Sequence, residues 1–150
     1  MKTRFHVKPA GARPDFRLVI AFLWAEMHNV DSDGNSDNPA SREWTELYLK
    51  NRENTSEVVD VSPVETSPLI LAVDSDIEHL AARVAYFLAR ETHGEVAVGA
   101  GRYSSPEALI PRLGDGFDLA AALRRADGSV WRRSTLTLPY PNLSRGEGPG

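Results

Sequence analysis

The stretch from Leu69 to Gly94 constrains the fold of this chain more than any other. Leu69-Ile70-Leu71-Ala72-Val73 is a continuous apolar run between Pro68 and Asp74. It has the length of a strand and is apolar on both sides of a period-two pattern, which predicts a strand buried on both faces and central in a sheet. A helix is predicted at once after it, because Ser75 and Glu78 have capping-box spacing and Ile77, Leu80, Ala81, Val84, Phe87 and Leu88 recur at helical intervals. His93 falls in the last turn, where a cation suits the helix dipole, and Gly94 is expected in the left-handed position that ends the helix. An apolar strand joined to an amphipathic helix commits the chain to at least two layers, since each has a face that only the other can cover.

Strand signals flank this unit. Residues 4–8 predict a short strand, and Phe16, Leu18, Ile20, Phe22 and Trp24 alternate with Val19, Ala21 and Leu23 as a central strand would, joined to the first as a hairpin through the turn-rich residues 9–14. Residues 28–42 are dense in Asn, Asp, Ser, Gly and Pro and predict a long mobile loop. Residues 44–50 and 57–64 read as a second hairpin, with Pro63 and Pro68 bracketing the connection to the central strand. Residues 95–98 predict a short strand. Ser104 and Glu107 repeat the capping-box spacing, Pro106 is tolerated in a first turn, and Gly114 follows, which fits a short helix. A third helix is expected over 117–125, then a turn at Asp127-Gly128 into a strand over 130–138.

This segregated order argues for an α+β fold, mainly an antiparallel β-sheet with one long helix and one or two short helices packed on it. One domain is expected over residues 1–138. Pro, Gly, Ser, Arg and Glu dominate residues 139–150, which predicts a flexible C-terminal tail.

Composition narrows the classes of function. The chain has 150 residues, 41% of them hydrophobic and 25% charged, so it can bury a core unaided by metal or disulfide. It has no cysteine, which excludes thiolate metal sites and cysteine nucleophiles and fits a reducing, cytoplasmic setting. The basic start Met1–His6 is not followed by the apolar stretch of a signal peptide, and the apolar run over 18–25 falls far short of the roughly 20 residues of a membrane span.

Net charge is −4, but unevenly placed: residues 1–25 carry five basic and one acidic side chain, residues 26–65 three basic and ten acidic. A basic partner would be drawn to that acidic middle.

No motif amounts to a catalytic constellation. Asp31-Ser32-Asp33-Gly34-Asn35-Ser36-Asp37 resembles a calcium loop in its alternating oxygen ligands, yet Ser36 stands where the turn glycine belongs and Arg42 where the closing Glu belongs. A solvated acidic loop able to dock a basic partner is the expectation. Gly99-Ala100-Gly101 lacks the third glycine of a dinucleotide fingerprint, Ser104 holding that position, and reads as a turn. His6, His28, His79 and His93 have no metal-ligand spacing, so no metal and no cofactor are expected. No serine sits in an activating motif. Asp74 and Asp76 suit a helix N-terminus better than an acid–base pair. Arg124, Arg125, Trp131, Arg132 and Arg133 are the one basic and aromatic concentration, and with a sequence pI near 5.6 they read as a solvated strand edge, with no nucleic acid bound.

Residues 80–109 carry a resemblance. Leu80 to Val96, with the helix stop Thr92-His93-Gly94 and a short strand, followed by the helix start Tyr103-Ser104-Ser105-Pro106-Glu107, is similar to a segment common in bacterial immunity proteins of polymorphic toxin systems. The resemblance implies a small cytoplasmic antitoxin that neutralises one cognate toxin protein by stoichiometric protein–protein inhibition, and it transfers no functional residue. Asp31, Asp33, Asp37 and Glu43 are the expected partner-binding surface, facing a toxin with a basic surface. A phage or host accessory protein that binds another macromolecule is the alternative, and a small enzyme with dispersed polar residues is the third reading.

Overall fold

The computed structural model describes residues 3–141. Its elements run β1 (Thr3–Lys8), α1 (Phe16–Leu23), β2 (Val30–Gly34), β3 (Leu47–Asn51), β4 (Val58–Thr66), β5 (Leu69–Ser75), α2 (Glu78–Glu91), β6 (Glu95–Val98), a 3₁₀ segment Pro106–Arg112, α3 (Leu119–Asp127) and a second 3₁₀ segment Val130–Arg133. The six strands form one sheet in the order β2-β3-β4-β5-β1-β6, every neighbouring pair antiparallel. The fold is α+β, with the helices stacked on one side of the sheet.

Strand alternation creates that side. Phe5, Val7, Leu47, Leu49, Val59, Val61, Leu71, Val73 and Val96 all point inward and are at most 4% exposed. α2 lies across β1, β5 and β6 with its own apolar stripe, Leu80, Ala81, Val84, Phe87 and Leu88, against them. β5 is internal as expected, and Leu71, Ala72 and Val73 are fully buried.

The expected strand at Phe16–Trp24 is instead α1, and no hairpin joins it to β1. Asp15 caps it by accepting the Arg17 N–H at 2.9 Å. Its alternation misled because α1 is buried all round: Phe22 stacks on Phe87 of α2 at 4.5 Å, and α3 closes over the outside, where Arg125 donates to the carbonyls of Ala21 and Phe22 at 3.0 and 2.7 Å. Residues 17–23 are all buried, so no exposed polar face marks the helix in the sequence.

Other expectations are corrected in detail. Residues 28–42 are not one loop, because 30–34 pair as β2 with β3. The rest is pinned by Asn35, whose side-chain oxygen accepts from Thr45 and Glu46 N–H groups at 2.9 and 3.0 Å, and by Asn38 and Arg42, which donate to the carbonyls of Leu136 and Ser134. Pro63 lies inside β4 opposite Leu71, beside a register shift, where β3 no longer pairs and no strand needs its missing N–H. Residues 130–138 are not a strand: Ser129 caps the 3₁₀ segment by accepting the Trp131 N–H, and Trp131 goes into the core.

Neither capping box forms. Ser75 ends β5, its hydroxyl donating to the Val58 carbonyl at 2.6 Å and accepting from the Ile77 N–H, while the 3₁₀ segment at 106–112 has no side-chain cap. Of the expected tail, residues 142–150 lie outside the described residues. Pro139 accepts a hydrogen bond from Arg17 at 2.8 Å, and Tyr140 lies edge-on to Trp131 at 6.1 Å.

Candidate functional site

With every helix on the inner side, the outer face of the sheet and its β2 edge are left open among the described residues. Register sets what that face presents. Asp33 faces Tyr48, Tyr48 faces Asp60, Asp60 faces Asp74, and Asp74 faces Arg4, so one row across β2, β3, β4, β5 and β1 carries three carboxylates, a phenol and one guanidinium. The parallel row at the β2 end places Asp31 against Lys50.

Partnering within this surface is uneven. Arg4 grips both oxygens of Asp74, at 2.8 and 2.9 Å, and this hydrogen bond, reinforced by the charge, raises the Arg4 pKa above its usual value. Asp60 is exposed and has no ion-pair or hydrogen-bond partner among the described residues, although it faces the like charge of Asp74 directly, a destabilising cross-strand arrangement. Beside them lies a recess of about 360 Å³ bordered by Tyr48, Asp60, Asp74 and Asp76. At the far end of the face His6 donates to the Gly99 carbonyl at 2.5 Å, and burial, helped by Glu65 and Glu95, raises the Tyr103 hydroxyl above its usual value of 10.

The structure places the four sequence-derived residues as follows. Asp31 and Asp33 stand on the outer face of β2, two residues apart and therefore on the same side. Asp31 pairs with Arg52 at 3.0 Å, both side chains about half exposed, and Asp33 accepts the Gly34 N–H at 2.8 Å. Asp37 and Glu43 are exposed in the connection from β2 to β3, with Glu43 near enough to Arg13 to oppose the lowering of the Arg13 pKa by burial. Asp60 and Asp74 were not in that set. Asp60 alternates with Val59 and Val61 in a strand pattern, which is the signal that puts it outward; its meeting with Asp74 depends on register, which sequence spacing does not reveal.

Other motifs resolve into structure. Asp74 holds Arg4 and does not cap α2. Gly99-Ala100-Gly101 is a turn, Gly99 at φ 57 and the Gly101 N–H bonded to the Val98 carbonyl. The arginines near the C-terminus form no strand edge: Arg125 caps α1, and Arg132 binds Glu91 and Asp127. Among the described residues no group of His, Asp or Glu gathers as metal ligands, and no helix is long and apolar enough to cross a membrane. No known protein family, curated protein or solved structure matches the chain.

Proposed function

We propose that this protein is a non-enzymatic immunity protein that binds a cognate bacterial toxin in the cytoplasm and neutralises it stoichiometrically. The acidic surface built on β2, β3 and β4 would meet a basic surface of that toxin. The observation that carries the reading is Asp60: an exposed carboxylate with no partner of its own among the described residues, facing a second carboxylate, in a row that Asp33 extends to the sheet edge. Such a row raises the negative potential over the face, which speeds encounter with a cationic surface and disfavours anionic partners. A cation docked on Asp60 would supply the charge partner that this carboxylate lacks among the described residues.

The test is co-expression with the product of the adjacent gene, scored by rescue of growth and by co-purification. Wild type is expected to rescue and to co-purify one to one. Asp31→Lys combined with Asp33→Lys and Asp60→Lys is expected to weaken the complex about a hundredfold, on the scale of close interfacial charge pairs, with circular dichroism unchanged. Absence of rescue and of binding by wild type, or full activity of the charge-reversed protein, would sink the reading.

A further inference from the structure

The acidic face ends at a sheet edge, and that edge is open among the described residues. In the β2–β3 ladder the Arg52 N–H bonds to the Asn29 carbonyl and the Asn35 N–H to the Glu46 carbonyl. The register pairs these same residues in sequence with Asp31–Lys50 and Asp33–Tyr48, so the odd-numbered residues of β2 turn their backbone groups toward β3. Val30, Ser32 and Gly34 must then turn theirs outward. The Gly34 N–H is taken by the Asp33 carboxylate at 2.8 Å. The N–H and carbonyl groups of Val30 and Ser32, and the Gly34 carbonyl, have no partner among the described residues. The opposite edge differs, since β6 exchanges hydrogen bonds between Val96 and Ser104 at 2.9 and 2.8 Å.

A recess of about 230 Å³ lies against the open edge on the inner side, bordered by Phe16, Ser32, Ser36, Pro39 and Leu47. Ser32 shares the inner side with Leu49, whereas Asp31 and Asp33 project from the outer side. The edge therefore presents three things in register: backbone donors and acceptors, a recess beneath Ser32, and two carboxylates above.

We propose that β2 receives an extended segment of the partner protein as a seventh, antiparallel strand, with basic residues alternating with aliphatic ones. Directly opposed residues of paired strands share a face. The residue opposite Ser32 then enters the recess, and those opposite Asp31 and Asp33 meet carboxylates, which selects Lys or Arg there. Charge also decides against a second copy of this chain: two β2 strands paired antiparallel about Ser32 would set Asp31 of one against Asp33 of the other, twice over. The acidic residues thus close the edge to self-association while leaving it open to a cationic strand.

The mode of docking rests on the toxin-binding reading for its biological partner, but its chemistry is tested without that partner. The probe is the peptide Lys-Val-Lys-Val-Lys-Val-Lys, added at up to millimolar concentration to isotope-labelled protein. Amide exchange at Val30 and Ser32 is expected to slow about tenfold, with no change at Val96 or Val98. Two alterations should abolish this: N-methylation of the peptide valines, which removes the donors aimed at Ser32, and Ser32→Pro, which removes the reciprocal donor without touching the β3 ladder. No slowing at Val30 and Ser32, or equal binding of the methylated peptide, overturns the proposal. In the growth-rescue assay, full neutralisation by Ser32→Pro would overturn strand addition while leaving the toxin-binding reading in place. Failure of wild type to rescue would remove that reading and leave the peptide result standing.

Discussion

Asp15 is the residue whose chemistry most constrains the molecule. It is fully buried, and its carboxylate accepts hydrogen bonds from the Arg17 N–H and Nε at 2.9 Å each, Arg17 Nη2 at 2.6 Å and the Ser134 hydroxyl at 2.6 Å. The Arg17 guanidinium in turn lies 3.9 Å from the centre of the Trp131 ring. A buried ion pair adds little over an apolar replacement of both partners, whereas removing one partner strands the other charge. Asp15→Asn keeps the size and most of the cap but leaves Arg17 uncompensated, and it is expected to cost about 3 kcal/mol in urea unfolding. Adding Arg17→Met should recover most of that loss. A single-variant cost no larger than that of an exposed salt bridge would show that Arg17 finds its charge partner elsewhere.

His79 makes stability depend on pH. Burial, and then the Arg83 charge, lower its pKa below the usual 6.5, against the opposing pull of Glu57 and Glu78. The unfolded chain therefore binds the proton more readily than the native one. The contribution of His79 to stability is complete above the unfolded value near 6.5 and is lost as pH falls below it toward the folded pKa. Urea midpoints followed downward from neutral pH should fall more steeply in wild type than in His79→Gln. Parallel curves for the two proteins would contradict the assignment.

The end of α2 combines a local stop signal with a tertiary constraint. The helix closes in a Schellman arrangement, with the Gly94 N–H on the Ala89 carbonyl at 2.8 Å and the His93 N–H on that of Arg90 at 3.4 Å. The left-handed residue is His93, at φ 55, not Gly94. Gly94 is needed for another reason: a Cβ there would lie 2.3 Å from the Lys8 carbonyl oxygen, against β1. The stop was legible and its residue was one off, because close approach to β1 is a tertiary fact.

His93→Gly removes the strain of a side chain in the left-handed region and is expected to stabilise the protein by about 1 kcal/mol. Thermal unfolding reads this directly, and a lowered midpoint would mean that the His93 side chain contributes contacts worth more than the strain. α1 offers the complementary lesson, since its one local signal was Asp15 ahead of an apolar run, a helix-cap residue in a strand-like pattern.

The layer class is legible because β5 and α2 are contiguous, and the apolar run of one and the amphipathic stripe of the other are both local signals. The order β2-β3-β4-β5-β1-β6 is not, since β1 inserts between β5 and β6 through contacts remote in sequence. The candidate surface divides the same way: Asp31, Asp33, Asp37 and Glu43 were readable as an acidic stretch, while the row through Asp60 and Asp74 exists only once the strands are in register.

That division yields a kinetic prediction for the proposed complex with a toxin. Charges at the rim of an interface govern encounter, whereas groups desolvated within it govern release. Asp31→Lys with Asp33→Lys should lower the association rate constant about tenfold at low ionic strength and flatten its decline with added salt, as expected when long-range attraction is removed. Ser32→Pro, which leaves the charges in place and removes one edge donor, should leave association nearly unchanged and accelerate dissociation. Stopped-flow mixing at graded salt separates the two. A wild-type association rate indifferent to salt would mean that the acidic sheet face does not guide its partner, however tightly the complex holds.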